Sequence, residues 1–394
     1  MINILKNRSE ILLPLYLVIF SLLKPLVLNN LSSSTFILTI ATGLIIGTWI
    51  LFEIIYKKNI TISYKHLLFI IIIYLLLFCE MILRPNSMNG DIIYKFTIYG
   101  AIPILLCSKV SNYKNLLWYY AIFSIINGII YFFEPLNNYE ISGNYMTFGF
   151  SQMLPAFAGS IIMFNIFKKK YGIMLAALFF IQMFLYANKG ATICAICIFV
   201  ISYIFFNKKK GIILKRLFIV ILLLLMILLN LETVVEGLIQ IIKSINMETY
   251  SLTTFLNMLQ DNENNVYRAR TDIWQNAIHL FTEKPIFGYG VGYFESNYNG
   301  YTHNFFLDIA VSSGLFGVIL VVMALILSIK RVVKLQDNYK KYFLIIMLAI
   351  SFIPMMFSLT YWTVMTFWLY FAIVFCSKDE DFNINGERYE NFDR

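Results

Sequence analysis

Apolar runs of about 18 residues recur along the whole chain, separated by short polar gaps. At a rise of about 1.5 Å per residue, each run is long enough to cross a ~30 Å hydrocarbon layer as a helix. The pattern predicts twelve spans, near 11–28, 35–56, 66–83, 91–107, 116–133, 146–167, 171–187, 190–206, 212–230, 303–329, 341–359 and 361–377. Only one gap is long, Leu231–Thr302. Two stretches inside it carry a helical apolar stripe. One holds Val234, Val235, Leu238, Ile241, Ile242 and Ile245. The other holds Ile273, Trp274, Ala277, Ile278 and Phe281, with Asp272, Gln275, Asn276 and His279 on the opposite face. Pro285 and Gly288 end the second stretch. The predicted fold class is all-α: a polytopic integral membrane protein with about 12 transmembrane helices and one large extracytoplasmic loop containing amphipathic helices. Residues 1–230 hold spans one to nine, 231–302 the loop, 303–377 spans ten to twelve, and 378–394 a tail.

Composition narrows the class and charge orients it. The 394 residues are 59% hydrophobic and 13% charged, where a soluble chain would be about 25% charged. The first apolar run lacks a small-residue cleavage site and reads as a retained helix. Alternate gaps carry the basic residues: Lys57, Lys58 and Lys65; Lys109 and Lys114; Lys168–Lys170; Lys208–Lys210, Lys215 and Arg216; Lys330, Arg331, Lys334, Lys340 and Lys341. Between them, Asn29–Ser34 has no charge and Glu134–Asn144 has two glutamates. The positive-inside rule then makes the basic gaps and both termini cytoplasmic and turns Leu231–Thr302 outward. The expected location is a cytoplasmic membrane, crossed many times. A net charge of +9, scattered over many short loops, is a topology signal and excludes a nucleic-acid surface. The five cysteines all fall in apolar runs. Cys194-x-x-Cys197 reads as two small apolar residues one turn apart, with no further ligand nearby in sequence.

Cations on the outward side are few: Arg84, Lys189, Lys243, Arg268, Arg270 and Lys284. Pairing with lipid headgroups accounts for Lys243 and Lys284. Lys189 lies in Tyr186-Ala-Asn-Lys-Gly-Ala191, a turn so short that the charge stands at or within the membrane boundary. Such charges face a partner or an aqueous cavity, unless they snorkel to the headgroups. Arg270 heads the second amphipathic stretch, and its fork of donors suits diphosphate oxygens; a solvated loop arginine is the plainer reading. Of three histidines, His66 reads as cytoplasmic and His279 as solvated. His303 stands at the start of span ten, beside Asn304, with Gly314-x-x-Gly317 further along the helix. An imidazole suits proton transfer near neutral pH, Asn304 could orient a hydroxyl, and the glycines would let another helix pack closely.

Three connected pieces resemble the O-antigen polymerase and ligase superfamily, bacterial membrane glycosyltransferases that use polyprenyl-diphosphate-linked sugars. Arg270-x-x-x-Trp274 comes first. Lys284-Pro285-Ile-Phe-Gly288-Tyr-Gly290-Val-Gly292-Tyr-Phe294 follows, and then His303-Asn304, nine residues and Gly314-x-x-Gly317. Ser142-Gly-Asn-Tyr-Met-Thr-Phe-Gly149 is a weaker echo. The resemblance implies that His303 deprotonates the acceptor hydroxyl and that Arg270 binds the diphosphate. Family members often carry Ser-Arg-Gly-Ala where this chain has Asn188-Lys189-Gly190-Ala191, so Lys189 keeps the charge without the bidentate fork. Arg268 is a second phosphate candidate with no family counterpart.

The residue set fits that chemistry. A departing lipid diphosphate gains charge in the transition state and needs fixed cations or a metal ion. The outward gaps lack Asp-x-Asp pairs, so no metal and no cofactor is expected. Expected partners are undecaprenyl-diphosphate-linked oligosaccharide donor and acceptor, the lipid bilayer, a chain-length regulator and a flippase, with no nucleic acid. The reading favoured is a repeat-unit polymerase. The alternatives are a ligase that moves the glycan to lipid A-core or another acceptor, and a transporter or flippase of polyprenyl-linked sugars. The last predicts internal repeats, and none is evident between the halves.

Overall fold

A computed structural model describes residues 9–28, 42–50, 63–84, 90–133, 148–185, 189–206, 231–244, 265–298, 300–356 and 358–377. Among these residues every regular element is helical and no strand occurs. The elements are α1 (Ser9–Leu28), α2 (42–50), α3 (Tyr64–Leu83), α4 (Gly90–Phe96), α5 (Ile102–Cys107), α6 (Tyr113–Ile130), α7 (Leu154–Asn165), α8 (Tyr171–Leu185) and α9 (Lys189–Phe206). They continue as α10 (Leu231–Ser244), α11 (Asn265–Glu283), α12 (Tyr293–Tyr298), α13 (Phe305–Lys334), α14 (Asn338–Met355) and α15 (Met365–Cys376). The span expected at 212–230, the gaps Asn29–Ser34 and Glu134–Asn144, the echo up to Thr147, and the 378–394 tail lie outside the described residues.

Helices stand at every other expected span, but only α3 and α13 are long and apolar enough among the described residues to cross a membrane unaided. Two of the expected spans stay helical through their described residues but include a π segment. Residues 91–107 run as α4, a π segment at Thr97–Ala101 and α5, with right-handed helical backbone at both joints. Residues 148–165 form a π turn at Phe148–Met153 followed by α7. Proline explains both. Pro103 and Pro155 sit at the second position of the helix after each π turn, and a proline cannot donate to the preceding turn. Side chains supply donors there instead. Tyr16 Oη donates to Ile98 O at 2.8 Å, and Asn127 Nδ2 to Ser151 O at 3.5 Å.

The chain divides into two compact units, one from residues 1–120 and 271–394, the other from 121–270. In the second unit α7 is the central element. Leu154, Ala156–Met163 are buried, and four of these are Ala, Gly or Ser. Small side chains let neighbouring backbones approach. A β-carbon on Gly128 would lie 2.4 Å from Ala156 Cβ, and one on Gly172 2.6 Å from Ser160 O.

In the first unit an aromatic core fixes the start of α13. Phe305, its first residue, is 1% exposed. Its ring lies 5.5 Å from Phe352, 5.9 Å from Tyr361 and 5.6 Å from Phe367, centroid to centroid. Each such pair adds about 0.5–1.5 kcal/mol beyond the area it buries. Trp368 continues the cluster to Phe96 at 5.0 Å. The second amphipathic stretch forms α11 as expected. Its buried edge is Ala277 and Leu280, packed with Phe294 and Val311, while Trp274 and Ile278 are more exposed than the stripe implies.

Candidate functional site

His303 lies in the first unit, in the turn that leads into α13. Its backbone is left-handed, with φ of +54°. That region is uncommon for a residue with a β-carbon and persists where neighbours hold it. Three neighbours do. The ring of Tyr301 lies 4.2 Å from the imidazole, at 41°, and the Tyr301 hydroxyl donates to Ser358 O. Trp274 of α11 donates Nε1–H to the carbonyl of Thr302 at 3.0 Å. Asn304 then caps α13: its Oδ1 accepts from the amides of Phe306 at 3.0 Å and Leu307 at 3.2 Å. The Asn304 carbonyl is therefore committed to the helix, and only its Nδ2 is left to meet a substrate hydroxyl. Imidazole Nδ1 is turned away from solvent.

Ten residues on, α13 breaks. Gly314 has φ of +64° and ψ of −162°, a conformation essentially confined to glycine. The break frees backbone groups on both sides, and the 285–290 segment takes them up. Tyr289 and Gly290 donate to Val311 O and Ser312 O, both at 2.8 Å. Pro285 O and Ile286 O accept from Leu315 N at 2.7 Å and Phe316 N at 3.2 Å. Gly288, at φ of +66°, is pressed so close that a β-carbon would sit 2.5 Å from Val311 O. The expectation that Gly314 admits another helix is thus corrected. What it admits is the backbone of a loop, because the glycine lies at a break with unpaired amides and not on a regular helix face.

Of the charges that gather near this junction, the sequence pattern points only to Arg84, one of the outward-side cations. Arg84 donates to Ser312 O at 3.4 Å and pairs with Glu80 at 3.5 Å. Lys95 Nζ bridges Asp91 at 2.8 Å and Glu295 at 3.3 Å. Asp308 accepts from Thr360 Oγ1 at 3.3 Å and lies within electrostatic reach of Glu295 and Lys95. Arg84–Glu80 and Lys95–Asp91 are i, i+4 pairs within one helix, but Ser312, Glu295 and Thr360 stand roughly 50 to 230 positions from the groups they meet, so no local pattern announces those contacts. Near the loop, Lys284 Nζ lies 4.2 Å over the Tyr289 ring. A hydrogen bond to Glu283, with some desolvation, pushes the Tyr289 phenol up to about 12. His279 is largely exposed, 3.5 Å from Glu283, in keeping with a solvated residue.

The candidate residues divide between the units. His303 and Asn304 belong to the first, Lys189, Arg268 and Arg270 to the second. Lys189 opens α9, and Arg268 and Arg270 lie in the first two turns of α11. The Arg270 side chain is half-buried. The side chains of Lys189 and Arg268 lie outside the described residues. Along α11, Arg270 precedes Trp274 by one turn, the i, i+4 relation that puts two side chains on one face.

Residues 173–322 match a family model described as O-Antigen ligase. The match takes in α9, α11, the 285–290 loop, His303 and the break at Gly314, and it supports the superfamily that the Arg270–Gly317 elements resemble. Comparison with the curated proteins yields no match.

Proposed function

We propose that this protein is a membrane glycosyltransferase that polymerises undecaprenyl-diphosphate-linked oligosaccharide repeat units of O-antigen or capsule. It works on the outward face of the bacterial cytoplasmic membrane, with both termini cytoplasmic. The observation that carries the reading is the clamped His303 turn. Trp274, Tyr301 and Asn304 hold one imidazole at the head of a membrane helix in a backbone conformation it would not otherwise keep.

In the reaction, the acceptor hydroxyl oxygen forms a bond to the anomeric carbon of the donor sugar. The bond from that carbon to the diphosphate oxygen breaks, and undecaprenyl diphosphate leaves. The hydroxyl proton passes to His303. Arg270, with Lys189 and Arg268, stabilises the negative charge that grows on the diphosphate. No metal is required, because fixed cations meet the leaving group.

One observation favours a second reading. The matched family is described as O-Antigen ligase, which supports transfer of the glycan to lipid A-core or another acceptor by the same chemistry. Purified protein supplied with lipid-diphosphate repeat units separates the cases. Longer lipid-linked glycans are the expected product. Product only after addition of a second acceptor would establish the ligase. Movement of the lipid across vesicles with no new glycosidic bond would overturn both in favour of a transporter.

A further inference from the structure

The loop that fills the break in α13 ends in an apolar tip. Pro285, Ile286 and Phe287 are exposed, the last two by 63% and 60%. Directly below them on α13, Leu315 and Phe316 are 52% and 55% exposed. These side chains form one surface: the Phe287 and Phe316 rings are 5.9 Å apart, and Phe316 N donates to Ile286 O. The surface does not stop there. Ile319, Leu320, Met323, Ile326 and Leu327 carry it down the same helix, each about half exposed. Lys284 sits at the other edge, its ammonium over Tyr289.

We propose that Ile286, Phe287, Leu315 and Phe316 form a wedge embedded in the lipid bilayer, with Lys284 at the level of the headgroup phosphates. Continuity identifies the occupant. A protein partner seated on the loop would also have to cover the outer face of a helix whose composition is that of a membrane span. Lipid covers both without a boundary, and an apolar tip beside a lysine is the usual arrangement at a membrane interface. The wedge is joined to α13 by backbone hydrogen bonds above and below Gly314, so its depth in the lipid sets the level of the break. This holds whether the chain is polymerase, ligase or transporter.

The test uses the full-length protein in proteoliposomes that contain a phosphatidylglycerol with a diazirine in its acyl chain. After irradiation and peptide mapping, adducts are expected on 285–287 and 315–316, as well as on 319–327. Labelling of 319–327 with none on 285–287 would overturn the proposal. An independent measurement uses two variants and a membrane-impermeant maleimide. Ser296→Cys, on the exposed face of α12, should react readily. Phe287→Cys should react at least about tenfold more slowly, since a thiol in apolar surroundings stays protonated and inert. Equal rates would sink the wedge.

Discussion

The backbone of Ile286 occupies the space that a side chain at Gly314 would need. A β-carbon on Gly314 would lie 2.4 Å from both the carbonyl carbon and the carbonyl oxygen of Ile286. Two glycine-bearing elements, separated by more than twenty residues, are therefore halves of one backbone junction.

Replacing Gly314 by alanine is expected to open that junction. The backbone strain alone is of order 1–3 kcal/mol, before the contact with Ile286. Gly314→Ala should lower the melting temperature of the purified protein in detergent and shorten the glycan made in cells. Gly237→Ala is the control, since nothing lies within 4 Å of its β-carbon position. Parent-like stability in Gly314→Ala would show that the loop moves away at no cost.

Asn304 can be divided into its two roles. Asn304→Ala removes the cap and should cost about 0.5–2 kcal/mol of stability. Asn304→Ser restores an acceptor for the Phe306 and Leu307 amides but has no Nδ2. Recovery of both melting temperature and most chain growth is expected. Recovery of stability without activity would mean that Nδ2 touches the substrate.

His303 needs a substitution that respects its left-handed backbone. Asparagine tolerates that conformation better than alanine does. His303→Asn should keep the melting temperature and membrane insertion and lose the chain growth that depends on proton transfer. A general base typically contributes about 10²–10⁴-fold in rate. Glycan length on a gel, beside a thermal melt of the same variant, reads both. Full-length glycan in His303→Asn would remove the imidazole from the mechanism.

Much of the fold was legible because apolar length is a one-dimensional property. The runs that predicted α3 and α13 needed no knowledge of packing. The second amphipathic stretch was legible for the same reason, although its buried edge shifts toward Leu280, since the face is set by what it meets, Phe294 and Val311. Asn304 as a cap could have been read: an asparagine just before an apolar run is a helix start signal. The motif at 284–294 and the one at 303–317 were visible as strings, but their contact was not. It runs through backbone amides and carbonyls, which every residue type carries alike. The Lys95–Glu295 bridge was hidden by distance in sequence. The π segments at 97–101 and 148–153 had a signal in Pro103 and Pro155, which an apolar count passes over.

The nine residues between Asn304 and Gly314 also act as a ruler. Each helical residue advances the axis by about 1.5 Å and turns it by roughly 100°. The break at Gly314 is pinned by the loop, so the length of that segment has to match the height and compass direction at which Trp274 and Tyr301 hold the His303 turn. Inserting one residue would leave every named side chain in place in the sequence and swing the imidazole by more than a quarter turn. In this stretch the count of residues carries information that their identities do not.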